Sequence, residues 1–178
     1  LQCVELGGPE KLEINEVEAP SAIPGHVVID VKSGSINFPD VLMIQGLYQY
    51  QPPLPFTPGG ESAGVVSEVG EGVTKFKVGD KVFAMTGVGA FAEKILAAEA
   101  SCMAIPDSMD YDSAAALSMV YGTSLYALKQ RANIQPGETL LVLGASGGVG
   151  LATIELGKAM GAKVIAAAST QDKIDICM

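Results

Sequence analysis

An α/β fold is predicted, with a β-rich first part and a parallel βαβ second part. Short β-branched runs separated by Gly and Pro turns recur through residues 1–110. A glycine string then stands between an apolar strand pattern at 139–143 and a helical pattern at 151–160. A second strand pattern at 163–168 closes the unit, giving strand, glycine turn, helix, strand within one short stretch.

The first strand is predicted at 27–32 (VVIDVK), after the turn signal Pro24-Gly25. His26, the single histidine, reads as a turn residue at the surface and not as a catalytic base. Residues 52–60 hold Pro52, Pro53, Pro55 and Pro58 before Gly59 and Gly60, and proline removes ladder donors, so an irregular loop is expected there. Residues 62–69 (SAGVVSEV) read as a strand closed by Gly70, and Gly79-Asp80 as a turn feeding a strand through Val82 and Phe83. The character changes near Asp110. Residues 112–131 are rich in Ala, Leu and Met, Asp110 or Asp112 can cap their start, and Gly122 suggests two helices meeting. Gln135-Pro136-Gly137 ends the helical pattern. The strand at 139–143 (TLLVL), the string GASGGVG at 144–150, the helix at 151–160 and a C-cap glycine at 161 follow.

The composition is that of a folding chain. Of 178 residues, 48% are hydrophobic and 17% charged, enough apolar surface to build a core. No apolar run approaches the ~18 residues a membrane span needs, and the N-terminus lacks the basic-then-apolar shape of a signal peptide. The net charge is −9, and the 11 basic residues are scattered, which argues against a nucleic-acid or anionic-membrane surface. Cys3, Cys102 and Cys177 are too widely spaced for a metal site or a disulfide framework, which fits a reducing compartment. A cytoplasmic location is expected, with a mitochondrial one left open because no initiator Met precedes Leu1.

The glycine string carries the chemistry. A helix N-terminus offers free N–H groups and a positive dipole end to a pyrophosphate, and glycines let the ligand approach the backbone. Gly144, Gly147, Gly148 and Gly150 supply that pattern, with Ala145, Ser146 and Val149 between them. A site for an unphosphorylated adenosine ribose usually ends its second strand on Asp or Glu to hold the 2′-hydroxyl. Here Ala168, Ser169 and Thr170 stand there, followed by Asp172 and Lys173. Small hydroxyls and a cation suit a 2′-phosphate, so NADP(H) is expected over NAD(H), although Lys173 also fits an ordinary solvated helix start.

In these residues the chain resembles the medium-chain dehydrogenase/reductase superfamily, specifically its quinone oxidoreductase branch. The resemblance is carried by SINFPDVLMIQGLYQYQPPLPFTPGGESAGVV at 35–66, GEGVTKFKVGDKV at 70–82, AAALSMVYGTSLYAL at 114–128 and GASGGVGLATIELGKAMGAKVIA at 144–166. It implies a GroES-like β-barrel domain for substrate and catalysis at 1–115, followed by part of an NADP-binding Rossmann domain, a doubly wound parallel sheet, at 116–178. Where zinc enzymes of the superfamily carry Cys-His and Gly-His-Glu, this chain has Asn37-Phe38 and Gly60-Glu61, so no zinc or other metal is expected.

The resemblance further implies that Asn37, Asp40 and Tyr48 line the substrate cleft, with Tyr48 able to donate a proton as hydride arrives. Thr123 would meet the nicotinamide, Gly147, Gly148 and Val149 the pyrophosphate, and Ser169, Thr170 and Lys173 the 2′-phosphate. Each residue also has a local role that fits: Tyr48 as a loop anchor, Asn37 and Asp40 as turn hydrogen bonders, Thr123 as part of a helix turn. The expected activity is zinc-independent hydride transfer from NADPH to a quinone or other α,β-unsaturated carbonyl. The alternatives are reduction of an enoyl thioester and a catalytically silent, truncated binding module. Family members continue well beyond the position of Met178, so either a fragment or a natural truncation is expected. The partner is a small electrophile, with a homodimer implied for a full-length form.

Overall fold

The computed structural model describes residues 1–178, which divide into two compact units, Leu1–Ala116 and Leu117–Met178. The first begins with a short antiparallel pair, β1 (Gln2–Cys3) and β2 (Leu12–Glu13). Its main sheet contains β3 (His26–Ser35), β4 (Glu61–Val69), β5 (Lys81–Met85), β6 (Lys94–Ala98) and β7 (Cys102–Ala104). These form one antiparallel sheet in the order β6-β3-β4-β5-β7. The expected barrel domain thus takes the form of a five-stranded sheet whose end strands, β6 and β7, do not pair with each other.

Val27, Ile29, Val66, Val82, Ala84 and Ala97 join in its core. Each fully buried valine or isoleucine side chain here contributes about 1.5–3 kcal/mol. Valines and isoleucine at 27–29 belong to a strand packed on both faces, which explains an apolar run without alternation. On the other side, α2 (Tyr111–Ala115) lies on β3 and β4 and buries Ala114 and Ala115. Asp110 caps it, its carboxylate accepting from the Ser113 N–H at 2.7 Å. A second cluster joins Cys3, Phe56 and two residues of α1 (Phe38–Ile44), Met43 and Ile44. The proline-rich stretch is irregular as expected, tied down where Phe56 bridges Cys3. His26 is not a free turn residue: it opens β3, half-buried, with its ring Nδ1 2.9 Å from the Pro24 carbonyl.

The second unit opens on a helical run at 118–131. Ser118–Gly122 and Tyr126–Arg131 are wound as π turns, and Thr123–Leu125 as α-helix (α3). The expected break at Gly122 is absent: its backbone stays helical (φ −61°, ψ −45°). The chain turns earlier, at Ala116, which ends α2. Then β8 (Thr139–Leu143), α4 (Gly148–Ala159), β9 (Lys163–Ala167) and α5 (Gln171–Ile176) follow. The strands pair in parallel, Leu141 opposite Ile165, and α4 crosses between them as the glycine string predicted. Val142, Ala145 and Ile154 form the core, with Leu140 and Val164 packed against it.

Candidate functional site

The glycine turn is built by its own backbone. Gly144 leaves β8 with φ +66°, a region that disfavours a side chain. Gly147 donates its N–H to the Gly144 carbonyl at 3.1 Å and serves as N-cap of α4, receiving the Leu151 N–H at 2.8 Å. Gly150 packs so tightly that a Cβ there would lie 2.6 Å from the carbonyl oxygens of both Gly144 and Ala145. Gly147 differs: a Cβ there would meet only the Gly144 carbonyl, at 3.5 Å. Nothing within the turn demands glycine at 147, which keeps the helix N-terminus open to approach from outside. The first-turn N–H groups of α4 have no partner from the helix itself and are the donors an anion would use.

Beside this turn lies a concavity of about 310 Å³ lined by Gly144, Ser146, Ala167, Ala168, Ser169 and Lys173. Lys173 extends its ammonium to the Ser169 hydroxyl at 3.4 Å. Thr170 is the N-cap residue of α5, and Asp172 is exposed in its first turn, outside the concavity lining. Ala145 is fully buried, so only its backbone is available, and its N–H is taken by the Ala167 carbonyl at 3.1 Å. Val149, in the first turn of α4, and Thr123 are exposed and do not line this concavity. Of the sequence-predicted residues, the structure therefore gathers Gly144, Ser146, Ser169 and Lys173 around one hollow, with Gly147 and Gly148 at the adjoining helix start.

In the first unit, Asn37 and Asp40 are brought together at the start of α1. The Asp40 carboxylate accepts the Asn37 N–H at 2.7 Å, and the Asn37 carbonyl accepts the Asp40 N–H at 3.1 Å. The Asn37 side-chain amide donates to Glu61 at 2.8 Å and lies 3.5 Å from the Ser35 hydroxyl. Burial raises the Asp40 pKa above its ordinary value, and nearby Glu61 adds to the rise. N–H groups of Asn37, Gly59 and Gly60 pull the other way.

Glu61 is 1% exposed and is the member that sequence reasoning did not select. Its signal was a carboxylate inside the apolar run GGESAGVV, a placement that costs free energy unless partners compensate it. Tyr48 stands apart from the pair: its ring packs on the Cys3–Met43–Ile44–Phe56 cluster, and it shares no hydrogen bond with Asn37 or Asp40. No three His, Cys, Asp or Glu side chains converge in a metal-holding group.

Residues 23–107 match the alcohol dehydrogenase GroES-like domain. Over 177 residues the chain is 42% identical to quinone oxidoreductase-like protein 2 of Rattus norvegicus, covering 99% of this chain and 50% of that protein. The crystal structure of Pseudomonas syringae pv. Tomato DC3000 quinone oxidoreductase superposes with a TM-score of 0.92 at 40% identity, over 99% of this chain and 54% of that one. Escherichia coli quinone oxidoreductase, solved in complex with NADPH, gives 0.90 at 34% identity over the same shares, 99% and 54%. The chain spans about half the length of the curated relatives it matches. A GroES-like match over the main sheet, a glycine turn opening a βαβ unit, and this likeness along almost the whole chain agree: the chain is similar to the quinone oxidoreductases over about half of their length.

Proposed function

We propose that this chain serves a zinc-independent oxidoreductase that transfers hydride from NADPH to a quinone or another α,β-unsaturated carbonyl. The observation that carries the reading is the hollow beside the glycine turn, where Ser169 and Lys173 stand and no carboxylate closes the end of β9. A lysine beside a small hydroxyl attracts the 2′-phosphate of NADP(H), while an Asp or Glu there would repel it. Residues 116–178 take the nucleotide-binding part in this reading, and residues 1–115 the substrate part.

Bound NADPH would supply the hydride, so the residues of the chain need only bind, orient and move a proton. The first-turn N–H groups of Gly148 and Val149 would hold the pyrophosphate, with Gly147 keeping the approach clear. Ser169, Thr170 and Lys173 would hold the 2′-phosphate, and Thr123 the nicotinamide end. Asn37 and Asp40 would orient the acceptor. When hydride adds to the acceptor, negative charge develops on its carbonyl oxygen, and the Tyr48 hydroxyl or water would donate the proton that neutralises it. The names of the relatives support a quinone as the acceptor.

The test is calorimetric titration of the chain with NADPH and NADH, wild type beside Lys173→Ala. NADPH is expected to bind at least about tenfold more tightly, and the variant to erase the difference, as loss of a charge-assisted contact does. Equal affinity for the two nucleotides in the wild type would overturn the 2′-phosphate assignment.

A further inference from the structure

The second unit holds a polar contact that neither the glycine turn nor the 2′-phosphate hollow accounts for. Ser124, on α3 one residue after Thr123, is 1% exposed. Its hydroxyl donates to the backbone carbonyl of Val149, in the first turn of α4, at 3.1 Å. Thr153, one turn further along α4, places its hydroxyl 2.6 Å from the same carbonyl and 3.0 Å from the Ser124 oxygen. Two hydroxyls from two helices thus converge on one carbonyl oxygen. A buried serine between packed helices costs free energy that alanine would avoid, unless its bonds compensate it.

The converged carbonyl belongs to the peptide unit that also contains the Gly150 N–H. Fixing the oxygen fixes the plane of that peptide, and hydrogen bonds to a carbonyl polarise the N–H on the same unit. The clip also sets the register of α3 against α4, and so the position of Thr123 relative to the first turn of α4. Both effects act on the end of α4 that would receive the pyrophosphate, and neither reaches the hollow at Ser169 and Lys173. In the π turn that precedes α3, the Tyr121 hydroxyl donates to the Glu155 carboxylate at 2.5 Å, a second link farther along α4.

We infer that Ser124, together with Thr153, is a positioning residue of the nucleotide site, holding the first turn of α4 and the Thr123 segment in the arrangement that binds the pyrophosphate–nicotinamide half of NADPH. The inference rests on the nucleotide reading proposed above, and its test separates the two. Wild type, Ser124→Ala, Ser124→Thr and Lys173→Ala are titrated with NADPH and with adenosine 2′-monophosphate, which carries the 2′-phosphate but no pyrophosphate, and the melting temperature of each is recorded.

Ser124→Ala is expected to weaken NADPH binding about five- to tenfold, the scale of one lost buried hydrogen bond, and to leave 2′-monophosphate binding unchanged. Ser124→Thr, which keeps the hydroxyl, restores NADPH binding, while Lys173→Ala weakens both ligands. A merely structural role lowers both affinities together with the melting temperature, and that result, or no loss at all, overturns the inference. Wild type that binds the 2′-monophosphate but not NADPH also overturns it, leaving the 2′-phosphate hollow standing. Wild type that binds neither overturns both. Should Ser124→Ala not fold, Thr153→Val, isosteric and lacking only the hydroxyl, carries the same expectations.

Discussion

At the scale of single residues, burial decides which groups are chemically available. Cys3 is fully buried, and desolvation pushes the buried Cys102 thiol up to about 11, whereas Cys177 near the C-terminus is only partly buried. The thiolate is the reactive form. One thiol per chain is therefore expected to react quickly with a disulfide reagent at pH 8, and Cys177→Ser to abolish that phase. Three equally fast thiols would mean that the core around Cys3 and Cys102 opens readily.

Asp40 makes the complementary case. Burial raises its folded pKa above 3.8, so the folded chain holds this proton more tightly than the unfolded chain. Its contribution is fully present below the unfolded value and is lost as pH rises through the raised folded one. Asp110 and Glu99, whose pKa values are lowered chiefly by backbone N–H donors, act oppositely, and their stabilisation is lost as pH falls. Asp40→Asn is thus expected to make stability climb more steeply between pH 4 and pH 7 than in wild type. Urea midpoints at the two pH values measure this, and parallel shifts would show that Asp40 ionises freely in the fold.

At the scale of elements, the glycines of α4 divide into two kinds. A methyl group at Gly150 would sit 2.6 Å from two carbonyl oxygens, so Gly150→Ala must displace the turn, at the roughly 1–3 kcal/mol typical of overpacking. Gly147→Ala meets nothing closer than 3.5 Å. It is expected to leave the melting temperature near wild type while weakening nucleotide binding; the opposite ranking of the two variants in thermal melts would contradict this division. The βαβ unit was legible because its signals are local: Gly-bounded apolar runs, a glycine turn and a C-cap glycine within one stretch. The helical region before it was legible only in part. A glycine inside a helix costs about 1 kcal/mol relative to alanine, and that preference suggested a break at Gly122. Packing overrides it, since Ser124 and Leu128, four residues apart on one face of the helical run that continues past Gly122, are both buried. The break that exists, at Ala116, carries no Gly or Pro to mark it.

At the scale of the molecule, what stayed hidden was long-range pairing. The sheet order β6-β3-β4-β5-β7 depends on cross-strand partners that turn signals do not specify. The same pairing assembles the Asn37 cluster: the register that sets Ser35 opposite Glu61 carries Asn37, two residues on, into reach of the Glu61 carboxylate. Motif spacing placed Asn37 and Asp40 together but held no signal for that contact. Alternation along β8 and β9 was visible only as an apolar run, yet the two faces differ sharply. One face packs Leu140, Val142 and Val164 towards α4, while the other leaves Leu141, Leu143 and Ile165 exposed by 57%, 75% and 48%. Contiguous apolar surface of this kind binds hydrophobic dyes without any loss of structure. The folded chain is expected to enhance the fluorescence of anilinonaphthalene sulfonate in native buffer, and Leu143→Lys to reduce that signal substantially with the melting temperature held. A signal that rises only on unfolding would show that no face of the folded chain binds the dye, and a native signal indifferent to Leu143→Lys would place the dye on the exposed Ile36 and Phe38 beside Asn37, where Phe38→Ser would then remove it.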